Sequence, residues 1–319
     1  MITMVTIDNI KSARERINDY IKITSLRSSK LLSDLTGASV YLKLENDQVT
    51  GSFKVRGALN KLLTLSAEET KRGVITASTG NHGLGVSYAA KQLGIHAKVV
   101  FPIGASEVKR RRMESAGVEV IQDVGYDEIE PHARQLAAEF GITYVSPYND
   151  PKIVAGAGTT GLEIIEQLED INTVFVPIGG GGLISGIAIA VKTLSPKTQI
   201  IGVQAKVSPE VHDSWVAGHW VDSEESDSLA QGLMGGVESD SITLDIISKY
   251  VDRIVLVSEE SIKHAMRFLF EKESLLVEGA GAVTTAALIE YASEFIGKRV
   301  VLTLSGGNIS REDLLFQTE

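Results

Sequence analysis

A run of four glycines offers the first recognisable chemistry in the 319-residue chain. Gly179, Gly180, Gly181 and Gly182 stand between an apolar, strand-like segment, residues 174–178, and a helix-like one. Glycine lets several backbone N–H groups approach one anion, and a helix N-terminus adds partial positive charge. The run lacks the Gly-Lys-Ser/Thr of an ATP-binding loop and the third glycine of a dinucleotide fingerprint. It therefore predicts a site for a lone phosphate monoester, and the alternative is a tight turn that only packs helix against strand.

A lysine in a second glycine-bearing segment could act as a nucleophile. Lys54 follows Ser52 and Phe53 in the run Gly-Ser-Phe-Lys-Val-Arg-Gly-Ala and precedes a helix with regularly spaced apolar residues. A lysine partly desolvated at such a junction has a lowered pKa, and imine formation requires the neutral amine that results. The alternative is a lysine on a solvated surface.

Two more glycine-bearing segments follow predicted strands, which is where open α/β sheets bind ligands. The first reads Ser78-Thr79-Gly80-Asn81-His82-Gly83. Its hydroxyls and helix N-terminal N–H groups suit a carboxylate, and its Asn side chain can hold a ring hydroxyl. A plain N-cap cluster is the alternative, and His82 alone is more typical of a structural histidine than of a catalyst. The second, Thr-Leu-Ser-Gly-Gly-Asn, places the Ser305 hydroxyl just after the final strand.

Strand-like and helix-like patterns alternate regularly from Gly73 onward, which predicts parallel sheets covered by helices on both faces. The strand candidates are residues 40–44, 74–77, 97–101, 118–121, 143–145, 174–177, 199–203, 253–257 and 299–304. A polar turn bracketed by Pro147 and Pro151 marks a crossing between two parts of the chain. We expect two doubly wound α/β domains, a large one from residues 1–70 and 149–319 and a small, mobile one from residues 71–148.

Composition excludes several classes of protein. The formal net charge of −10 and the pI near 5.2 give a field that repels phosphate backbones and anionic lipids, so we expect no nucleic-acid or membrane partner. The one basic run, Lys109 to Arg112, is predicted to be a solvated helix face. The absence of cysteine excludes disulfides, thiolate metal sites and a cysteine nucleophile. The N-terminus carries no targeting signal, which predicts a cytoplasmic location.

Taken together, the four segments resemble the signatures of the fold type II pyridoxal phosphate enzymes, in that family's order and over nearly the whole chain. Within the fold type they most resemble the threonine/serine dehydratases and the related serine racemases. The resemblance implies two doubly wound parallel-sheet domains of the tryptophan synthase β-like kind, with pyridoxal 5′-phosphate as cofactor. It also implies a homodimer or tetramer.

The resemblance further implies roles for individual residues. Lys54 would carry the cofactor as a Schiff base and, once displaced by substrate, act as the base at Cα. The glycine run would hold the cofactor phosphate, and Asn81 its 3′-oxygen. Ser305 would face the pyridine nitrogen, where a hydroxyl favours β-elimination over transamination. The other implied contacts are Phe53 and Glu278 beside the cofactor, and Ser78, Thr79, Gly80, Asn81 and His82 around the substrate carboxylate.

The implied reaction is elimination of water from a small β-hydroxy amino acid, preferably L-threonine or L-serine, giving a 2-oxo acid and ammonia. Thr79 stands where serine racemases carry the serine that acts as base on the opposite face of the cofactor. Threonine keeps the hydroxyl, but its extra methyl group restricts χ1 and disfavours that role, so elimination is preferred and racemisation is the alternative. Departures from the family pattern at Ala157 and Gln231 leave larger substrates open, such as a 3-hydroxyaspartate, phenylserine or a hydroxyectoine-derived compound. The alternative of a different class is a regulatory sensor that keeps the fold and the cofactor without turnover.

The resemblance to a divalent-cation site is weaker. Related enzymes use a Glu, a backbone carbonyl and an Asp in this region. The corresponding positions here hold Gln204, Ser208 and Glu210, which weakens an oxygen site for Mg or Ca without abolishing it.

Overall fold

Ten strands form two separate sheets in the computed structural model, which describes residues 5–105 and 107–318. The strands are β1 (Leu26–Ser29), β2 (Ser39–Leu44), β3 (Val74–Ala77), β4 (Ala97–Val100), β5 (Glu119–Ile121), β6 (Thr143–Tyr144), β7 (Thr173–Pro177), β8 (Gln199–Ala205), β9 (Arg253–Val257) and β10 (Arg299–Leu304). Six strands form one sheet in the order β1-β2-β10-β7-β8-β9, and four form the other in the order β5-β4-β3-β6.

Within the described residues, neighbouring strands pair in parallel except for β1 with β2. The α/β architecture with two parallel sheets is therefore confirmed, and the predicted strands agree with the structure to within two residues at each end. The antiparallel strand β1 was missed. Its four residues include two serines and show no alternation of burial, and its place at the sheet edge depends on contact with β2, where Leu26 lies opposite Lys43.

Helices cover the sheets. They are α1 (Ile7–Ile17), α2 (Lys30–Thr36), α3 (Lys54–Leu62), α4 (Ala67–Arg72), α5 (Asn81–Leu93), α6 (Glu107–Ser115), α7 (Ile129–Phe140), α8 (Pro151–Gln167), α9 (Gly182–Leu194), α10 (Glu210–Ala217), α11 (Ile242–Tyr250), α12 (Glu259–Glu271), α13 (Gly279–Glu290) and α14 (Arg311–Thr318). The start of α8 shows a common local cause, because the Asp150 side chain accepts N–H bonds from the first turn and a proline occupies the position after it. None of these helices, within the part of the chain that the structure describes, is long and apolar enough to cross a membrane.

The four-stranded sheet with α5, α6 and α7 spans residues 74–144, and we call it the small unit; the described residues outside it form the large unit. The strands of the small unit all lie inside the predicted small domain, whose movement as a domain stays a prediction. One apolar core joins the two units, because Val55 and Leu59 of α3 pack with Val86 of α5 and Val99 of β4. The start of α3 therefore lies where the units meet.

Candidate active site

Lys54 is the first residue of α3. Its Nζ donates a hydrogen bond to the carbonyl oxygen of Pro147 at 3.0 Å and lies 5.3 Å from the centre of the Phe53 ring. Burial lowers the pKa of the Lys54 amine to about 8, and the negative charge of Glu130 acts against this shift. A carbonyl accepts from the neutral amine as well as from the ammonium, so Lys54 can lose its proton without losing this contact.

Backbone contacts join the lysine loop to the loop that follows β10. Ser52 forms an isolated antiparallel bridge with Gly306, and the N–H of Phe53 donates to the carbonyl oxygen of Ser305 at 3.1 Å. The Ser305 side chain is buried, and its hydroxyl lies 3.4 Å from the carbonyl oxygen of Ala280. Two motifs from opposite ends of the chain are thus held side by side.

Asn81 brings the small unit into the same cluster. It is the first residue of α5; its Nδ2 donates to Oε1 of Glu278, and its Oδ1 accepts from Nδ2 of Asn308 at 2.8 Å. Burial raises the pKa of the Glu278 carboxyl, while the charge of Lys109 and the bond from Asn81 act against the rise. A Cβ on Gly306 would lie 2.4 Å from the Glu278 carboxylate, so this close approach requires glycine.

The glycine run lies between β7 and α9, as predicted. Gly181 has a φ of +84°, a left-handed conformation that glycine adopts without strain. A Cβ on Gly180 would lie 2.4 Å from the Tyr148 ring, so the loop packs too closely on that ring for a side chain. Within residues 5–105 and 107–318, no protein acceptor takes the N–H groups of Gly179, Gly180 or Gly181. These unused donors at the N-terminus of α9 fit a phosphate group.

The loop before α5 is shaped by its own first side chain. The Ser78 hydroxyl oxygen accepts from the N–H of Gly80 at 3.0 Å and from the N–H of Gly83 at 2.8 Å. Thr79, the next residue along, is exposed. Ser78 therefore maintains the loop, whereas Thr79 presents a hydroxyl at its surface.

His82 is buried at the start of the same helix. Its Nε2 lies 3.2 Å from the carbonyl oxygen of Val145, and because a carbonyl only accepts, Nε2 carries the proton. Burial, assisted by the charge of Lys54, lowers the pKa of His82 to about 3. A ring that stays neutral at physiological pH agrees with a structural histidine.

Two side chains of the basic run face this cluster, which the sequence analysis missed. The ammonium of Lys109 lies over Gly80 in the loop before α5. It is so close that a Cβ added to this glycine would lie 3.1 Å from Nζ of Lys109. NH1 of Arg112 donates to Oδ1 of Asn308 at 2.8 Å. The two arginines between them pair with acidic residues of α6 itself. The predicted solvated face is therefore wrong for Lys109 and incomplete for Arg112. The i, i+3 spacing that puts both on one helix face was the available signal.

A second polar contact between the units was also missed. Arg134 of α7 pairs with Glu238 of the large unit, and Glu238 also accepts from Nδ2 of Asn149. Glu130 lies one helical turn before Arg134, and its charge interacts with that of Lys54. Burial raises the pKa of the Glu130 carboxyl, and the negative charge of Glu238 adds to this rise.

The side-chain oxygens of Gln204 and Glu210, two of the three positions considered for a divalent cation, accept hydrogen bonds from protein donors. Oε1 of Glu210 accepts from Nε1 of Trp220 at 3.0 Å, and its Oε2 accepts from the N–H of Val237 at 3.0 Å. Oε1 of Gln204 accepts from a backbone N–H in α10 at 2.7 Å, and the Ser208 hydroxyl donates to an acidic side chain. No cluster of three or more His, Cys, Asp or Glu side chains suited to a metal occurs among the described residues. These residues fit a divalent cation poorly.

The fold and this cluster define a class of protein. A parallel α/β scaffold, unused N–H groups at a helix N-terminus and a buried amine of lowered pKa belong together in enzymes that anchor a phosphorylated carbonyl cofactor through a lysine.

The chain belongs to the family of pyridoxal-phosphate dependent enzymes, whose profile matches residues 17–306. A protein of Thermotoga maritima named L-threonine ammonia-lyase is 43% identical over 307 residues, which are 96% of this chain and 76% of that protein. A solved threonine deaminase from T.th. has a TM-score of 0.89 and 37% identity, covering 96% of this chain and 99% of its own. Maize serine racemase has a TM-score of 0.93 and 31% identity, covering 98% and 96%. The resemblance to fold type II enzymes is thus confirmed.

Proposed function

We propose that this enzyme eliminates water from a small β-hydroxy amino acid, with L-threonine and L-serine preferred, and releases a 2-oxo acid and ammonia. The observation that carries the proposal is the buried Lys54 amine, whose pKa of about 8 makes it easily deprotonated beside the loops of the other motifs. The similarity to proteins named L-threonine ammonia-lyase and threonine deaminase supports this choice of reaction.

Pyridoxal phosphate, when bound, supplies an electron sink conjugated to the substrate Cα. The chain would anchor it at three points, with backbone N–H groups at the phosphate, an amide at the 3′-oxygen and a hydroxyl at the pyridine nitrogen. The hydrogen bonds that hold the four motif loops together support this assignment. The residues proposed to hold the cofactor are Phe53, Lys54, Asn81, Gly179, Gly180, Gly181, Gly182, Glu278 and Ser305.

Lys54 is the proposed base at Cα. A base is most effective when its pKa lies near the working pH, and burial brings the pKa of this lysine to about 8. The carbonyl of Pro147 would steady the amine while it takes and returns the proton, because that contact survives in both charge states.

The loop before α5 is proposed to bind the substrate carboxylate, through Ser78, Thr79, Gly80, Asn81 and His82. The hydrogen bonds within the loop indicate that these five residues do not all contact the carboxylate directly. The Ser78 oxygen accepts two backbone N–H groups but keeps its O–H as a donor, whereas Nε2–H of His82 already faces the carbonyl oxygen of Val145. The Ser78 and Thr79 hydroxyls and the helix N-terminal N–H groups would therefore make the direct bonds. Lys109, whose ammonium lies over Gly80, would add positive charge there.

Water must be kept away until elimination is complete, and we propose that movement of the small unit achieves this. Two polar contacts are positioned to hold the closed form. One joins Arg134 to Glu238, and the other joins Arg112 to Asn308.

The test is to record the visible absorbance of the purified protein with pyridoxal phosphate, and then to follow 2-oxo acid formation from L-threonine, L-serine and L-threo-3-hydroxyaspartate separately. The expected result is a visible band and oxo acid from threonine or serine. Lys54→Ala should lack the band because no amine remains to bind the cofactor carbonyl. Its oxo acid formation should fall by at least about 10²- to 10⁴-fold, because the positioned base is lost as well. A wild type that takes up no cofactor would overturn the proposal.

Racemisation is the second candidate, favoured by the similarity to maize serine racemase and by the exposed Thr79 hydroxyl. Chiral analysis of recovered L-serine separates the two reactions. D-serine formed by the wild type and lost in Thr79→Val, which keeps the shape but removes the hydroxyl, would identify a racemase.

For the cation, the poor fit of Gln204, Ser208 and Glu210 supports turnover without a metal. Dialysis against EDTA is therefore expected to leave the rate and the melting temperature unchanged. A loss that Mg²⁺ or Ca²⁺ restores would instead establish the oxygen site. A homodimer or tetramer and a cytoplasmic location stay predictions, and light scattering of the holoenzyme tests the first.

A further inference from the structure

Four polar side chains form a chain of hydrogen bonds that runs from α6 to the candidate cofactor site. Arg112 donates to Oδ1 of Asn308 at 2.8 Å, Asn308 donates to Oδ1 of Asn81 at 2.8 Å, and Asn81 donates to Glu278. Arg112 and Asn81 belong to the small unit, whereas Asn308 and Glu278 belong to the large unit. Each of these three hydrogen bonds therefore joins the small unit to the large unit.

The orientation of the Asn308 side-chain amide is set by two neighbours, one of which can only donate a hydrogen bond and one of which can only accept. The guanidinium of Arg112 can only donate. The carbonyl oxygen of Thr50 can only accept, and it takes the other amide hydrogen of Asn308 at 2.9 Å. A reversed Asn308 amide would lose both contacts and place its oxygen against a carbonyl oxygen. Asn308 is therefore locked with its nitrogen toward Asn81.

The lock on Asn308 passes to Asn81. Because Asn308 presents an N–H, Asn81 must present its oxygen there and turn its nitrogen toward Glu278. An amide nitrogen carries two hydrogens, and Glu278 takes one of them. The second hydrogen is left for a ligand. A reversed Asn81 would set its oxygen against the half-buried Glu278 carboxylate and leave that carboxylate without its donor.

We propose that Asn308 is a positioning residue that sets the amide orientation of Asn81, so that Asn81 offers an N–H to the 3′-oxygen of the cofactor. Asn308 acts through Asn81, and Arg112 acts through Asn308. The inference rests on the proposed function, because it takes Asn81 as the partner of that oxygen.

The sharpest test is Asn308→Asp in the full-length holoenzyme. This change keeps the shape of the side chain but replaces both of its N–H donors with an acceptor. Asn81 then reverses to donate to the new carboxylate, and the 3′-oxygen loses its donor. Affinity for pyridoxal phosphate should fall by roughly tenfold or more. The pH midpoint of the visible band should rise by about one unit, because negative charge on the 3′-oxygen is less stabilised and the bound cofactor keeps its proton longer.

Three further variants keep the test decisive should Asn308→Asp fold poorly. Asn308→Ala removes the lock without adding charge and should shift both quantities in the same direction by less. Arg112→Ala should have the smallest effect, because Arg112 is exposed, and Arg112→Lys should restore wild-type values by supplying a donor. The matched control is Arg111→Ala, since Arg111 is an exposed residue of the same helix that pairs with Glu107.

The outcomes separate this inference from the proposed function. If Asn308→Asp and Asn308→Ala keep wild-type cofactor affinity and midpoint while only their melting temperatures fall, Asn308 is merely structural and the inference is wrong. If the wild type itself shows no visible band, or Lys54→Ala keeps one, the proposed function is overturned and this inference falls with it.

Discussion

Lys43, which is fully buried, and Lys54, which is half-buried, are two lysines of the large unit with opposite surroundings. Nζ of Lys43 donates to Glu163 at 2.6 Å, to Gln167 at 3.0 Å and to the carbonyl oxygen of Thr24 at 2.7 Å. Nζ of Lys54 donates to a single carbonyl oxygen. Burial lowers the pKa of both amines, but two carboxylates in the immediate surroundings act against this at Lys43.

The carboxylates near Lys43 belong to a buried quartet formed by Lys43, Glu45, Arg56 and Glu163. Nε of Arg56 donates to Glu45 at 2.8 Å, and its NH1 donates to Glu163 at 2.6 Å. Two cations face two anions, so the quartet is neutral as a whole. Arg56 lies only two residues after Lys54 on α3. Burial alone therefore does not decide what a basic side chain does. The partners decide whether its charge is structural or removable.

Removing one anion of the quartet should give the largest effect. Glu163→Gln leaves Lys43 and Arg56 with one carboxylate between them, and breaking a buried pair in this way costs about 3–5 kcal/mol of unfolding free energy. Urea unfolding of the cofactor-free protein measures this. The matched control is Glu166→Gln on the same helix, whose side chain is 52% exposed and should change stability by less than about 0.5 kcal/mol. Equal losses in the two variants would mean that the quartet does not stabilise the fold.

The same substitution at the two lysines should give contrasting results. Lys43→Met removes one cation of the quartet and should lose about 3 kcal/mol of unfolding free energy. The loss is at the low end for a broken buried pair because Glu163 and the carbonyl oxygen of Thr24 keep other donors. Lys54→Met replaces an amine that has one carbonyl partner and should be neutral or slightly stabilising in the cofactor-free protein. Thermal unfolding of both variants provides the measurement. Similar losses at both positions would contradict the contrast between the two lysines.

Lys54 should also titrate in an accessible range. Uptake of pyridoxal phosphate by the cofactor-free protein needs the neutral amine, so its rate should rise about tenfold per pH unit and level off above about pH 8. The pKa of Lys54 is lower in the folded protein than its ordinary value of 10.5, so between pH 8 and 10.5 this side chain binds more protons in the unfolded state than in the folded state. The contribution of Lys54 to the free energy of unfolding therefore rises with pH in that range. Stopped-flow absorbance measures the uptake. A rate that keeps rising tenfold per pH unit up to about pH 10, without levelling off near pH 8, would argue against a lowered pKa.

The smallest expected effect concerns Glu130, whose negative charge favours the ammonium form of Lys54. Glu130→Gln should therefore lower the pH midpoint of cofactor uptake by a fraction of a pH unit. Glu139→Gln, at an exposed position of the same helix, is the control and should leave the midpoint unchanged. A midpoint that rises in Glu130→Gln would show that Glu130 acts on Lys54 in some way other than through its charge.

Much of this arrangement could be predicted from local pattern. Alternating strand-like and helix-like segments located the parallel strands, and α5 and α9 begin within the predicted glycine motifs. Such features depend on residues a few positions apart, because glycine content, helix capping and apolar periodicity act over single turns and short strands. The strand β1 escaped because its four residues carry no such pattern and become a strand by pairing with β2.

Side-chain partners were the harder part. Lys109 and Arg111 belong to one basic run on one helix, yet the first reaches the loop at Gly80 and the second stays on the surface. The buried quartet was missed for the same reason, because Glu45, Arg56 and Glu163 are distant in the chain and none is unusual alone. Charged residues are usually exposed, so only their partners reveal that they are buried.

The sequence by itself determined which groups the chain can offer: the amine of Lys54, a glycine run able to expose backbone N–H groups, the amide of Asn81 and the hydroxyl of Ser305. The tertiary structure decided that the pKa of Lys54 falls to about 8, which way the Asn81 amide points and how poorly the Glu210 region fits a cation. The reason is physical. Residue type fixes whether a group can donate, accept or carry charge, whereas its pKa and its partners depend on neighbours that the fold brings from distant parts of the chain.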